Sequence, residues 1–282
     1  MSFKFELSRR DFPAVALALV PLILSACVTE KPAQTVTEKS AQTATAQAGQ
    51  ADTALARQVV AAPDRSERDR AADTHRKPIE TLAFFGLAPG MRVADLGAGG
   101  GYSSELFARA VGPGGAVFAQ DTPDWAGPGL TMAWETRLAK PALKNTTHFM
   151  RHWDDPLPPE AKNLDAVYSV AIYHDVLVEK FDVNKLNAAV FAALKPGGIY
   201  AIIDNSAKAG SGAAEVERLH RIDEALVREQ VEKAGFKLVG EASFLRNPAD
   251  TRDWNADPET AEKENPAKAH IQDRFALKFT KP

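Results

Sequence analysis

The chain has one cysteine, Cys27, among 282 residues. A single thiol excludes an intrachain disulfide and a zinc cluster built on thiolates. Neither sign of charge dominates: 34 Lys and Arg stand against 37 Asp and Glu, a formal net charge of −3. Nucleic-acid binding leaves a basic footprint, and none is present. Nor do aromatic residues interleave with a basic groove. The apolar run from Pro13 to Leu24 is broken by Pro21 and is shorter than the roughly 20 residues of a comfortable membrane span. What remains is ordinary for a globular protein, with 45% hydrophobic and 25% charged residues. The length fits one large domain or two small ones.

The most informative stretch is Val93-Ala-Asp-Leu-Gly-Ala-Gly-Gly-Gly-Tyr102. It reads as a buried strand, Met91 to Leu96, a glycine turn, and a helix from about Ser103 to Val111. Four glycines in five residues permit a tight turn and close approach of backbone to a ligand. The turn also delivers unpaired N–H groups at a helix start, which suits a polar ligand. Two common uses of such a turn are missing. No Gly-Lys-Ser/Thr follows, as a phosphate loop requires, and Tyr102 stands where a dinucleotide fingerprint has Gly or Ala. Asp95, at the strand end, further disfavours a phosphate and favours a cationic ligand. The pattern Asp95-x-Gly97-x-Gly99-x-Gly101 resembles the first motif of class I methyltransferases that use S-adenosylmethionine, whose sulfonium and ammonium suit that acid.

The N-terminal 27 residues read as a targeting segment. Ser8-Arg-Arg-Asp-Phe12 before the apolar run resembles a twin-arginine export signal. Leu24-Ser-Ala-Cys27 resembles a bacterial lipoprotein box, which implies a lipidated Cys27 as the first mature residue and a membrane-anchored protein facing the periplasm or cell exterior. Val28 rather than Asp after the cysteine leans toward an outer membrane. Residues 28–62 hold few large apolar side chains and read as a flexible tether, with some helix near Ala51–Val60. The folded body is expected over residues 63–282. The charges from Pro63 to Lys77 read mainly as a solvated helix with i,i+4 pairs, and Arg76 and Lys77 are candidates for a lid. Pro78 to Phe85 reads as a helix stopped by Gly86.

Beyond the glycine turn, Ala116 to Ala119 is a second strand closed by Gln120 and Asp121. Asp121 lies 20 residues past Gly101, where an acid binds ribose hydroxyls in nucleotide folds; Gln120 competes for that role. Trp134 and Leu138 are expected on the sheet. Thr146 to Met150 is a third strand. By the resemblance, a polar residue after it holds the adenine amino group; Asp154 or Asp155 is the candidate, with Trp153 covering the ring. Leu164 to Ala171 is the fourth strand, and Tyr173, His174 and Asp175 follow its carboxyl end, where ligands bind in open α/β sheets. His174 is the candidate base, with Asp175 to orient it.

Leu194-Lys-Pro-Gly-Gly198 reads as a helix stop and turn, again similar to the methyltransferases before their fifth strand. That strand, Ile199 to Ile203, ends at Asp204, a further candidate on the ligand side. His220 precedes a helix N-capped by Asp223 and is expected near Asp204. Tyr173, Asp204 and His220 are candidate substrate or lid residues. Phe236–Phe244 and Phe275–Thr280 are the last strands, and Arg246 to Ala269 reads as a polar surface excursion.

The resemblance implies a Rossmann-like seven-stranded α/β sheet with its last strand antiparallel and helices on both faces. It implies methyl transfer from S-adenosylmethionine to a small-molecule or envelope-associated acceptor, and no metal is expected. Export motivates the alternatives of a non-catalytic cofactor-binding protein or an envelope binding module, because the cofactor is made in the cytoplasm. No Asn-Pro-Pro-Tyr-type motif marks amide or base-amine methylation, and no paired carboxylates mark a polyamine.

Overall fold

The computed structural model describes residues 53–282. The export, lipidation and most of the tether expectations lie outside them. Among the described residues, no helix is long and apolar enough to cross a membrane.

Seven strands form one sheet in the order β3-β2-β1-β4-β5-β7-β6. They are β1 (Arg92–Leu96), β2 (Ala116–Asp121), β3 (Thr146–Met150), β4 (Leu164–Val170), β5 (Leu194–Asn205), β6 (Lys237–Ala242) and β7 (Arg274–Thr280). The pairs among β1 to β5 are parallel; β7 runs antiparallel to both β5 and β6. The central strands are buried on both faces, so they read as near-continuous apolar runs. Their side chains still alternate between two cores: Ala94, Leu96, Val167 and Ile202 on one face, Val93, Ala166, Ala201 and Ile203 on the other.

Helices cover both faces, beginning with α1 (residues 53–60), α2 (Glu67–Arg76) and α3 (Pro78–Phe85). Next come α4 (Tyr102–Val111), α5 (Pro128–Leu138), α6 (Tyr173–Val178) and α7 (Val183–Ala193). The last are α8 (Val216–Leu219), α9 (Glu224–Lys233) and α10 (Pro258–Glu264). Local chemistry sets their ends. Ser66, Asp182 and Asp223 each accept an N-terminal amide with the side chain. Gly86 closes α3 in the left-handed conformation at φ 72°.

Several expectations change. Ala56 and Val59 of α1 are buried against α4, within the stretch whose composition suggested a tether. Lys195–Gly198 is not a separate turn; it bulges within β5, between the pairs Leu164↔Leu194 and Ala166↔Ile199. Leu138 is 38% exposed, whereas Trp134 is buried. Residues 246–269 are more than a surface excursion. Arg221, fully buried, pairs with Asp250 at 2.8 Å and lies 4.5 Å over the Trp254 ring. Asp250 also accepts from the Trp254 indole at 2.7 Å and the Asp273 amide at 2.6 Å. This one carboxylate fastens the excursion to the end of the sheet.

Breaking a buried ion pair leaves an uncompensated charge, so Asp250→Ala is expected to cost about 3–5 kcal/mol in urea unfolding. Glu241→Ala, which removes the exposed partner of Arg228, is expected to cost under about 1 kcal/mol. Equal losses in the two variants would contradict this account of the excursion.

Candidate functional site

The sheet order reverses between β1 and β4, and ligands bind at such a switch point, outside the carboxyl ends of the strands. Asp95 lies there, opposite Tyr168 of β4, and is 2% exposed. Ser104 Oγ donates to its carboxylate at 2.5 Å. Burial pushes the Asp95 carboxyl up to about 7; the Ser104 bond opposes this, the Asp121 charge adds to it, and Arg76 opposes it. The free protein therefore holds a carboxyl that a cationic ligand would help to ionise.

The glycine turn is pinned from beneath by β2. Gly97 N–H donates to Gln120 Oε1 at 3.1 Å, and Gly99 N–H to Asp121 Oδ1 at 2.7 Å. Gly97, Gly99 and Gly101 all have positive φ, which only glycine adopts freely. Their surroundings differ. A Cβ on Gly97 would stand 2.7 Å from Ile172, and one on Gly101 2.7 Å from Arg137. Around Gly99 and Gly100 the space is open, leaving a bare cradle of backbone.

Asp121 is fully buried. Besides the Gly99 amide it meets the Trp134 indole at 3.2 Å and His148 Nε2 at 2.9 Å, and those two rings stack at 4.1 Å. Gln120, the competing ribose candidate, spends its side chain on Gly97 and on the Arg151 carbonyl. Asp154 turns toward Lys185 on α7, at 3.7 Å, and Asp155 pairs with Arg151. Trp153 is fully buried and donates to Glu179 at 2.7 Å. Past the ends of β2 and β3, the polar groups that stand together are instead Asp124 and His152, 4.0 Å apart.

A second cluster sits beyond β4 and β5. His174, in the first turn of α6, is nearly sealed from solvent. Its backbone N–H and Nδ1 meet the two oxygens of buried Asp204 at 2.8 and 2.7 Å. Its Nε2 is 3.1 Å from Asp175 Oδ1, and His220 Nδ1 approaches the same oxygen at 3.4 Å. Burial would lower the His174 pKa, but the Asp204 charge and the Asp175 bond raise it to about 10. Burial would likewise raise Asp175, but the bonds from His174 and His220 hold it at about 2. His174 is thus a charged donor between two carboxylates, and it must lose a proton before it can accept one. Tyr173 is not part of this group. It is buried, and its hydroxyl accepts from Asn187 at 2.8 Å and donates to Gln230 at 3.2 Å.

Charges read from the sequence as a solvated helix tie α2 to the site instead. Asp73 takes two bonds from Arg65 and one from the Tyr102 hydroxyl, each at 2.7 Å. Asp69 pairs with Arg137 at 3.0 Å, and Arg76 lies 4.6 Å over the Tyr102 ring. Lys77, the other lid candidate, reaches away to the Phe244 carbonyl. Beneath this cover is a narrow cleft of about 20 Å³ lined by Leu82, Leu106, Phe107, Val170 and Ile203, with Arg76 and Arg274 among its polar groups.

The two glycine environments separate folding from binding. Gly99→Ala is expected to cost about 1–2 kcal/mol for its left-handed backbone while placing a methyl group in the open cradle. Gly97→Ala adds a clash with Ile172 and should destabilise more. Urea unfolding beside ligand titration would check this; a Gly99→Ala protein that binds like wild type would show that the cradle is not the ligand site.

No family model matches the chain. A C-methyltransferase of ubiquinone and menaquinone biosynthesis, UbiE of Vibrio parahaemolyticus, is 25% identical over 182 residues, which is 64% of this chain and 65% of that protein. The match thus spans less than two thirds of that relative. The solved structure of a SAM-dependent methyltransferase from Aquifex aeolicus superposes with a TM-score of 0.53 at 20% identity, over 76% of this chain and 94% of its own. A putative sarcosine dimethylglycine methyltransferase from Galdieria sulphuraria gives 0.54 at 17% identity, over 76% and 86%. With its seven-stranded sheet and antiparallel β7, this chain is built on the Rossmann-like fold of these S-adenosylmethionine-dependent methyltransferases.

Proposed function

We propose that the protein binds S-adenosylmethionine at the glycine turn and transfers its methyl group to a small, largely apolar acceptor. The observation that carries this reading is the buried Asp95 carboxyl beside an open cradle of backbone. A sulfonium and an ammonium brought to this end of β1 would offset the cost of ionising it. Asp121 is assigned to the ribose. Asp154, with Asp124 and His152 beside it past the ends of β2 and β3, is assigned to the adenine edge.

In this reading a lone pair of the acceptor attacks the methyl carbon in line. The carbon–sulfur bond breaks, its electron pair stays on sulfur, and S-adenosylhomocysteine is left. The reaction requires no covalent bond to the protein, so its main contribution is positioning. His174 and Asp175, with His220 opposite, are assigned to the acceptor and its proton, and Asp204 positions His174. The apolar lining of the narrow cleft under α2 and α3 supports a hydrophobic group on the acceptor, although the cleft itself has room for little more than a water. Arg274 Nε, buried there without a hydrogen-bond partner among the described residues, supports a polar substituent on it. A quinone-like or lipid compound fits these features. It also fits the proposed lipid anchor at Cys27, which rests on the Arg9-Arg10 and Leu24–Cys27 motifs.

Calorimetric titration of the protein with S-adenosylmethionine tests the assignment. Binding is expected in the micromolar range and should be lost in Asp95→Ala. Below the Asp95 pKa of about 7 the carboxyl must lose a proton before it meets the cation. Affinity should therefore rise with pH up to about 7, by at most roughly tenfold per unit, and then level off. A folded protein that binds no S-adenosylmethionine would overturn the reading and leave an envelope binding module on this fold. Binding without methyl transfer to any quinone-like or lipid acceptor would favour the non-catalytic alternative.

A further inference from the structure

His174, Asp175 and His220 each bring a ligand atom to within 4.8 Å of the others. The two contacts that involve the carboxylate measure 3.1 and 3.4 Å. An ion held at roughly 2.1 Å by tetrahedral ligands keeps those ligands about 3.4 Å apart, so the two contacts of the carboxylate match two edges of such a polyhedron. They come from two separate parts of the chain, the first turn of α6 and the residue that caps α8.

Groups outside the trio point the same way. Asp204, at the end of β5, takes the His174 Nδ1 side at 2.7 Å. That leaves Nε2 facing Asp175 and His220, the arrangement in which a carboxylate orients a metal-binding imidazole. Asn205 Nδ2 holds the His220 carbonyl at 3.1 Å. Two carboxylates, Asp175 and Asp204, face two imidazoles here, a balance that suits a dication. Three protein ligands leave a position open, the pattern of catalytic rather than structural sites. Softer thiolates are absent, and two imidazoles with one carboxylate suit zinc, iron(II) or their neighbours better than magnesium or calcium.

We propose that His174, Asp175 and His220 form a divalent transition-metal site facing the methyl acceptor. The metal sits between His174 Nε2, Asp175 and His220. Its open position binds an oxygen, nitrogen or sulfur of the acceptor and lowers the pKa of that atom; the released proton goes to solvent, and the resulting lone pair attacks the methyl carbon. The location of the acceptor rests on the methyltransferase reading, but metal binding itself does not.

Cobalt(II) added to chelator-treated protein gives the direct test, because its visible absorption bands report imidazole and carboxylate ligation. Bands are expected to saturate at about a single equivalent per chain, as a three-ligand site requires, and to vanish when zinc is added. His220→Ala, at a half-buried position, and Asp175→Asn should abolish them. Asp204→Asn should weaken binding by roughly 10- to 100-fold. His270→Ala, which alters a different histidine cluster, should leave the bands unchanged. A folded wild-type protein without bands, or bands that survive in both His220→Ala and Asp175→Asn, would overturn the proposal. S-adenosylmethionine titration of the chelator-treated protein separates this failure from failure of the cofactor assignment.

Discussion

One carboxyl group, on Asp95, sets the problem that the surrounding structure solves. It sits near the carboxyl end of β1, sealed from solvent, with a serine hydroxyl as its hydrogen-bond donor. Holding it ionised above neutral pH costs the ligand-free protein on the order of 4 kcal/mol. That contribution favours the protonated form, so stability from this group falls as pH rises from the ordinary carboxyl range through about 7. A protein gains nothing in folding from such a residue, and the stored cost becomes useful only when a cation arrives. The glycine turn beside it supplies open backbone, and β2 fixes the turn by bonding it from below.

The same logic explains the helices before β1. Their charged residues bridge α2 to Tyr102 and to Arg137, next to the glycine turn, instead of pairing along one helix. Arg137 in turn meets buried Glu105 at 2.5 Å and the Gly100 carbonyl at 2.7 Å. Cover and cradle therefore share one polar network, and a shift in either is felt in the other. On the opposite side, the Arg221–Asp250 pair and the ties of Asp273 to Arg246 and Arg252 hold the chain between β6 and β7 against the end of the sheet.

The parts of this design that depend on local pattern were legible in the sequence. Strand, glycine turn and helix are contiguous, and their hydrophobic period and backbone needs are written in ten residues. The helix stop at Gly86 and the cap at Asp223 are equally local. The rest depends on contacts across long stretches of sequence. His174 meets Asp204 across 30 residues, and no spacing rule links them. Asp154 and Asp155 are candidates by resemblance alone; in the fold they make ion pairs with Lys185 and Arg151, which no spacing rule anticipates for Asp154. The helix near Ala51–Val60 is legible, but its burial through Ala56 and Val59 is not, because alanine buries little area. Residues 246–269 read as polar because their attachment is carried mainly by ion pairs of Asp250 and Asp273 and by one tryptophan.

The measurement closest to the centre of this account is the ionisation of Asp95, followed by carboxyl NMR of labelled protein with and without S-adenosylmethionine. The account requires a carboxyl that titrates near 7 in the free protein and stays ionised well below that when the cofactor is bound. A free-state value in the ordinary carboxylate range, about 4, unmoved by S-adenosylmethionine, would contradict it.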